Sequence, residues 1–461
     1  MSTELETFLA AHPDIDAVQL VLTDPSGVAR GKTIRRHELA ALYDTGRNVA
    51  GSILGLDITG ADVEATGLVW ENGDADKLCR PVPGTLTIAP WLERTGQALL
   101  SMYELDGTPA AADPRHVLAR VEQQLAARGL AAVFACEVEF YLLQPRPDGS
   151  YAPAGSIALK PGQDDRIEAY SLARLDNLAP LFREVLDVAA AQSLSAGTVM
   201  SEYAPGQFEI TLKHRRGALA AVDEAVQFKR LLKGVAAKHG LVASFMAKPF
   251  THRAGSGAHL HLSFADEAGR NLCAANDPAG TPLLRHAIAG LMATAGDAFL
   301  AFASNGNSYR RFQRESYAPV AVSWGVNNRS VSLRVPAGPP HSRHVEHRFC
   351  GADANLYLAA AAVLAGALDG IQHQRDPGPA VIGNGYDAMP RTDAPPDPDS
   401  SPHALPRSWD EAIARAATSP FLAQAFGAGF LKVWLAIKRQ ELARWNAEVT
   451  PTDWLWYLRD T

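Results

Sequence analysis

"ACEVEFYL", residues 135–142, is a short apolar run interrupted by two polar residues at alternate positions, Glu137 and Glu139. β-Branched and aromatic residues in that pattern predict a strand, whose i and i+2 side chains share a face. Glu137 and Glu139 then stand side by side, with Cys136, Val138 and Phe140 on the opposite face. Two like charges so placed repel, so either water solvates them or a positive group lies between them. Upstream, residues 15–105 read as short strands: "DAVQLVLTD", "GVARGKTI", "GLVWE", "GTLTIAPW" and "QALLSMYEL". Turn residues such as Asp24-Pro25-Ser26-Gly27 and Asn72-Gly73-Asp74 separate them. Asp106-Gly107-Thr108-Pro109 marks an exit and divides the chain into units 1–108 and 109–461. The period changes at "DPRHVLARVEQQLAARGL" (113–130), which opens on Asp-Pro, closes on Arg128-Gly129 and predicts a helix. Strands and helices alternate beyond it. "LYLAAAAVLAGALDG" (356–370) predicts a buried helix; "SWDEAIARAATS" and "FLAQAFGAGFLKVWLAIKRQELARWNAEV" predict closing helices. "DAPPDPDSSPHALP" (393–406) predicts a surface loop.

Composition narrows the class. At 461 residues the chain exceeds one small core, and its 47% hydrophobic and 20% charged residues are those of a globular protein. A net charge of −7 without a polybasic run argues against nucleic acid or an anionic membrane as partner. Cys79, Cys136, Cys273 and Cys350 lie far apart without a CxxC pair, which fits a reducing cytoplasm and not a disulfide framework or zinc ribbon. The start, "MSTELETFLAAHPDID", lacks the pattern of a signal peptide, and no run reaches the roughly 18 apolar residues of a spanning helix.

The candidate chemistry is acidic. "GVARGKT" (27–33) resembles a phosphate-binding loop, but Gly27 and Gly31 enclose three residues where four are required. "SEYAPGQFEI" (201–210) places Glu202 and Glu209 around the turn residues Ala204-Pro205-Gly206. "AGSGAHLHLSF" (254–264) runs from glycines into a strand with His259 and His261 on one face. "HVEHRFC" puts Glu346 and Arg348 on one face; "NNRSVSLRVP" and "NSYRRF" add Arg329, Arg334, Arg310 and Arg311. Alone, each piece also fits an ordinary role: a solvated strand face, a polar loop, a bonded histidine pair, surface ion pairs. Together, five glutamates and a histidine without thiolate suit magnesium or manganese. Arginine forks match carboxylate and phosphate oxygens, so the combination suggests phosphoryl transfer.

In this order the motifs E-x-E-F (137–140), E-x-A-P-G-Q-x-E (202–209), G-S-G-x-H-x-H (255–261), N-S-Y-x-R (307–311), N-R-x-x-x-x-R-x-P (328–336) and E-x-R (346–348) resemble the glutamine synthetase family, type I branch, over nearly the whole chain. The resemblance implies an α+β fold: a small N-terminal β-grasp domain and a large catalytic domain with an antiparallel sheet and surrounding helices. It implies Glu139, Glu202 and Glu209 around one metal, and Glu137, His259 and Glu346 around a second. It places His261 and Ser263 near ATP, Arg329 and Arg334 at its phosphates, and Gly255, Arg311 and Arg348 at glutamate. It also implies rings of six, usually two stacked into a dodecamer. Asp57, and more loosely Asp74, would reach the next subunit's site. The implied reaction is ATP-dependent phosphorylation of the glutamate side chain, followed by attack of an amine.

Three departures bear on the amine. Tyr317 stands where ammonia-using members carry a glutamate, with Glu315 offset by two; Ala254 replaces an asparagine; and "LDITG" around Asp57 replaces D-G-S-S. An aromatic face suits an alkylammonium group. The pattern looks most like γ-glutamylpolyamine synthetases, with Asp57 and Tyr317 at the amine. A glutamine synthetase using ammonia, a silent structural or regulatory ring, and a guanido-kinase-like enzyme are the competing expectations. The 393–406 loop holds no tyrosine, so control by adenylylation there is not expected.

Overall fold

The computed structural model describes residues 3–154, 167, 169–387 and 404–459. Two sheets organise it. The first comprises β1 (Ala17–Thr23), β2 (Ala29–Arg35), β3 (Arg47–Ala50), β4 (Asp76–Pro81), β5 (Thr87–Ile88) and β6 (Thr95–Tyr103), in the order β2-β1-β6-β4-β3 with β5 on β6. β1 and β6 run parallel at its centre and the flanking pairs are antiparallel. The discarded phosphate-loop motif is the β1–β2 turn and the start of β2. Gly31 there lies so close to β1 that a Cβ would stand 1.7 Å from the Leu20 carbonyl oxygen.

The second sheet comprises β7 (Ala131–Pro145), β8 (Tyr151–Pro153), β9 (Ala196–Ser201), β10 (Gln207–Leu212), β11 (Arg215–Arg216), β12 (Val242–Ser244), β13 (Ala258–Ala265), β14 (Trp324–Val326), β15 (Leu333–Val335) and β16 (Val345–His347). Its order is β14-β15-β16-β13-β7-β10-β9, with β8, β11 and β12 also on β7, and it is antiparallel except for β14 and β15. One face of β7 buries Cys136, Val138 and Phe140 against the helix Ala218–Lys238, in one core that also holds the aliphatic helices Pro282–Phe302 and Leu356–Gln372. The other face is left for polar chemistry. Burial of those apolar side chains, at roughly 25 cal/mol per Å² removed from water, orients the sheet.

The helix expected at 113–130 is Pro114–Ala126, capped by Asp113, whose side chain accepts the Arg115 N–H. Two expectations change. "GLVWE" forms turns and no strand: Gly67 adopts a left-handed φ of 75°, and Trp70 is 72% exposed, so nothing offers that segment a ladder. The last expected helix is split at Gly427 (φ 77°) into Pro420–Phe426 and Ala428–Ala447. Most of the 393–406 loop lies outside the described residues. The helix Ala428–Ala447 lends Val433 and Ile437 to the core of the small sheet and so joins the two units. Among the described residues no single helix is long and apolar enough to cross a membrane.

Candidate active site

Strand register assembles the carboxylates. β10 places Glu209 opposite Glu139, and β13 places His259 opposite Glu137. β16 places Glu346 opposite His261, and β15 places Arg334 opposite Glu346. Directly opposed residues share a face, so five segments distant in sequence point their polar side chains to one side of the sheet. The β9–β10 turn, with Gly206 at φ 73°, brings Glu202 to the same edge, its backbone N–H donating to Gln207 O at 2.9 Å.

Two groups are tight: the ligand atoms of Glu137, His259 and Glu346, and those of Glu139, Glu209 and His259, each lie within 4.8 Å of one another. His259 Nδ1 is 2.7 Å from Glu137 Oε1 and 3.8 Å from Glu346 Oε1, and its Nε2 is 4.0 Å from Glu139 Oε1. His261 Nε2 stands 3.5 Å from Glu137 Oε2. Glu202 lies outside both tight groups, yet close enough for its charge to act on Glu209.

The carboxylates do not share one electrostatic state. Burial, reinforced by Glu137, Glu139 and Glu202, pushes Glu209 up to about 10. Burial and the neighbouring Glu139 push Glu202 up to about 7, and burial raises Glu139. Burial also penalises Glu346, but His259, Arg348, His261 and Arg334 outweigh it and bring Glu346 down to about 2. Hydrogen bonds from His259 and His261 likewise overcome burial and hold Glu137 well below the ordinary range. Arg334 Nη1 donates to Glu346 Oε2 at 2.8 Å, and Arg348 pairs with Glu346 Oε1. The donors fit hard divalent cations: oxygen-rich, thiolate-free, and with carboxylates that stay protonated unless a positive charge joins them.

Beside this cluster Arg311 is 5% exposed, and its Nη1 and Nη2 donate to Phe349 O (2.9 Å) and Arg348 O (3.3 Å). Gly255 and Gly257 leave it room: a Cβ on Gly257 would lie 2.6 Å from Arg311 Nη2, and one on Gly255 would lie 2.9 Å from Arg311 Cγ. Ser263 follows His261 on the same face of β13 and is buried. Other expected residues are more exposed or engaged elsewhere. Arg329 is exposed, and Tyr317 is 59% exposed with a φ of 57°, beside Glu315 at 59°. Asp57 is fully buried within its own chain. Its Oδ1 accepts from Thr59 N (2.8 Å), Thr59 Oγ1 (2.7 Å) and Ala61 N (3.0 Å), and Oδ2 pairs with Arg444.

Two residues join the site without having been singled out. Gln207 Nε2 donates to Glu139 Oε2 (3.2 Å) and Gly255 O (3.0 Å), tying a carboxylate to the glycine loop. His344 Nε2 lies 3.0 Å from His261 Nδ1. Its spacing of two from Glu346 was the available signal.

Comparison with known proteins agrees with this geometry. Residues 111–457 match the family described as glutamine synthetase, catalytic domain. The chain is 37% identical to a gamma-glutamylputrescine synthetase of Escherichia coli over 99% of its length and 94% of the relative's. It is 32% identical to a gamma-glutamylethanolamide synthetase of Streptomyces coelicolor, over 98% and 94% of the two chains. A solved structure titled as a GmaS/ADP complex superposes with a TM-score of 0.83 at 27% identity, covering 99% of this chain and 100% of that one. With the site and both comparisons in agreement, the chain belongs to the glutamine synthetase family.

Proposed function

We propose that this enzyme, a C–N bond-forming ligase, joins an alkylamine to the side-chain carboxylate of L-glutamate, with ATP as co-substrate. The observation that carries the reading is the bipolar site: a carboxylate cluster short of positive charge beside Arg311, Arg334 and Arg348. In the first step the glutamate side-chain oxygen attacks the γ-phosphorus of ATP and ADP departs. In the second, the amine nitrogen attacks the carbonyl carbon of γ-glutamyl phosphate, inorganic phosphate leaves, and one proton is released. A carboxylate resists attack by an amine; the acyl phosphate, a mixed anhydride, supplies the leaving group.

Glu139, Glu202 and Glu209 would hold one divalent cation, and Glu137, His259 and Glu346 a second, magnesium or manganese. Bound there, such ions supply charge neutralisation at the transferred phosphoryl group. The chain's own arginines do the rest. Arg334 has an Nε without a partner in the interior, available to a phosphate oxygen. Arg311 and Arg348, braced against each other through the Arg348 carbonyl, form a rigid cationic wall for glutamate's carboxylates. His261 and Ser263 lie further along β13, on the nucleotide side of this reading, and Arg329 would close over the phosphates from its exposed loop.

An alkylamine is favoured over ammonia for two reasons. The relatives named for amine ligation match over almost the full chain. Tyr317 also presents an exposed ring where a cation would approach. Asp57, expected at the amine in either reading, has both carboxylate oxygens engaged within the chain and does not discriminate between alkylamine and ammonia. In the same reading residues 1–108 form the small domain, and copies assemble into stacked rings of six. The exposed C-terminal helix Pro451–Tyr457, with Trp454 and Leu455 60% and 81% exposed, offers apolar surface for such contacts. A coupled ADP-release assay at fixed glutamate and MgATP, across putrescine, spermidine, ethanolamine, methylamine and ammonium, tests the reaction. Putrescine or another alkylamine is expected to give the highest kcat/KM, and a clear preference for ammonium overturns the reading.

A further inference from the structure

A cavity of about 790 Å³ lies in the seam between the two sheets' units, and none of the clustered glutamates lines it. Phe245, in its wall, packs on Phe140 at 6.0 Å between ring centroids. Phe140 belongs to the face of β7 opposite Glu137 and Glu139, so the cavity is behind the sheet, away from the carboxylate site. The small unit contributes Val28, Ile58 and Trp91. Trp91 rests on the helix Ala218–Lys238 at Gly234, where a Cβ would come within 2.4 Å of the indole.

The same helix turns Lys229, Arg230 and Lys233 to the cavity, against a single carboxylate, Asp353. Its Oδ2 accepts from Asn305 Nδ2 (2.7 Å) and Ser308 Oγ (2.6 Å), its Oδ1 has no hydrogen-bond partner among the described residues, and its charge reaches Lys229 only from beyond ion-pairing distance. Arg230 is held by neutral groups, Gln97 at 2.7 Å and Gln19. Lys229 and Lys233 share one ring, with their Nζ atoms 4.6 and 5.7 Å from the Phe245 centroid. Among the described residues, none of the three cations has a carboxylate within ion-pairing distance. Burial, and then the neighbouring Lys233, brings Lys229 down to about 8, the direction expected of a cation short of counter-charge. A chain with a net charge of −7 thus keeps three unpaired cations around a space large enough for a small molecule.

We propose that this cavity binds a small multivalent oxyanion, a phosphate or a dicarboxylate, separately from the catalytic site. Lys229 and Lys233 bracket the anion, and Trp91 and Phe245 enclose its body. Occupancy reaches the catalytic face through one short path. Lys229 Nζ donates to Ala352 O at 2.8 Å, Ala352 N donates to Ser256 O at 3.1 Å, and Gly257 N donates to Glu139 Oε2 at 2.8 Å. An anion that draws the Lys229 ammonium off the Ala352 carbonyl therefore bears on the glycine segment under Arg311 and Glu139.

Binding is measured without turnover, so the inference stands apart from the ligation reading. Isothermal titration of the intact protein at low ionic strength, with inorganic phosphate and separately with succinate, is expected to show saturable binding. Phosphate-only or succinate-only binding assigns the source. Lys233→Glu, at an exposed position that leaves the core untouched, is expected to weaken binding at least tenfold, and Lys229→Met likewise. Arg334→Gln, in the catalytic site, is expected to leave it unchanged. Undiminished binding in Lys233→Glu, loss of binding in Arg334→Gln, or no saturable binding in the wild type overturns the proposal.

Discussion

The two halves of the carboxylate cluster share one sheet face and are charged in opposite senses. Around Glu139, Glu202 and Glu209 the neighbours are mostly other carboxylates, and burial drives all three toward the protonated form. Around Glu346 the neighbours are Arg334, Arg348 and two histidines, and the carboxylate is ionised at any moderate pH. Glu137 sits between them and sides with the second half because His259 and His261 reach it. One half is thus short of positive charge, while the other keeps its carboxylates ionised against arginines and histidines. In the proposed reading, placing both within a few ångströms would let the site hold a metal and a phosphate together.

The contrast can be broken by activity first. Glu139→Ala removes an oxygen ligand from the acidic half and the acceptor of the Gly257 and Gln207 N–H groups. It is expected to lower kcat by about 10²-fold or more, the scale of losing an electrostatic element from a reacting centre. Steady-state ADP release under saturating substrates measures it, and a change under threefold would remove Glu139 from the chemistry.

Stability gives the next largest effect, in the basic half. Glu346→Gln leaves Arg334 and Arg348 without their counter-charge in the interior and is expected to cost about 3 kcal/mol, as for breaking a buried ion pair from one side. Urea unfolding of the metal-free protein reads it; a variant as stable as wild type would mean that the arginines find other partners.

The smallest effect sharpens the acidic half through pH. Glu209 has its folded pKa raised from 4.5 to about 10, and Glu202 from 4.5 to about 7. Between those values the folded state holds protons that the unfolded chain has released, so stability falls as pH rises. The metal-free protein is therefore expected to lose thermal stability from pH 5 to pH 9. Glu346, lowered to about 2, acts only below that window. Glu209→Gln is expected to flatten most of the decline above pH 7, and saturating magnesium to oppose it by giving the ionised carboxylates a partner. Melting temperatures across that range in chelator check this; a wild-type curve that rises with pH contradicts the repulsion.

Much of this was legible in the chain. The run at 135–142 identifies a strand with two glutamates on one face, and the structure keeps Cys136, Val138 and Phe140 in the core behind them. The run at 356–370 is a buried helix because residues 356–368 are almost wholly apolar, and its one charged residue, Asp369, comes at the end where it pairs with Arg375. Such patterns are local: side-chain period and apolar content act over one element. By contrast, "GLVWE" has strand-like residues and forms turns, because a strand needs a partner that its sequence does not name.

Sequence alone thus determined which residues carry charge, which segments have a buried face, and the ordered motifs that mark the family. Tertiary structure decided the rest. It set Glu209 against Glu139 and His259 against Glu137, drew Gln207 and His344 into the site, and closed Asp57 inside its own loop. Among the described residues it also left three cations facing a cavity without an ion-pair partner. The reason is physical: register, burial and electrostatic environment arise from pairings between segments far apart in the chain, and a one-residue slip in any of them would turn the same side chains to the opposite face.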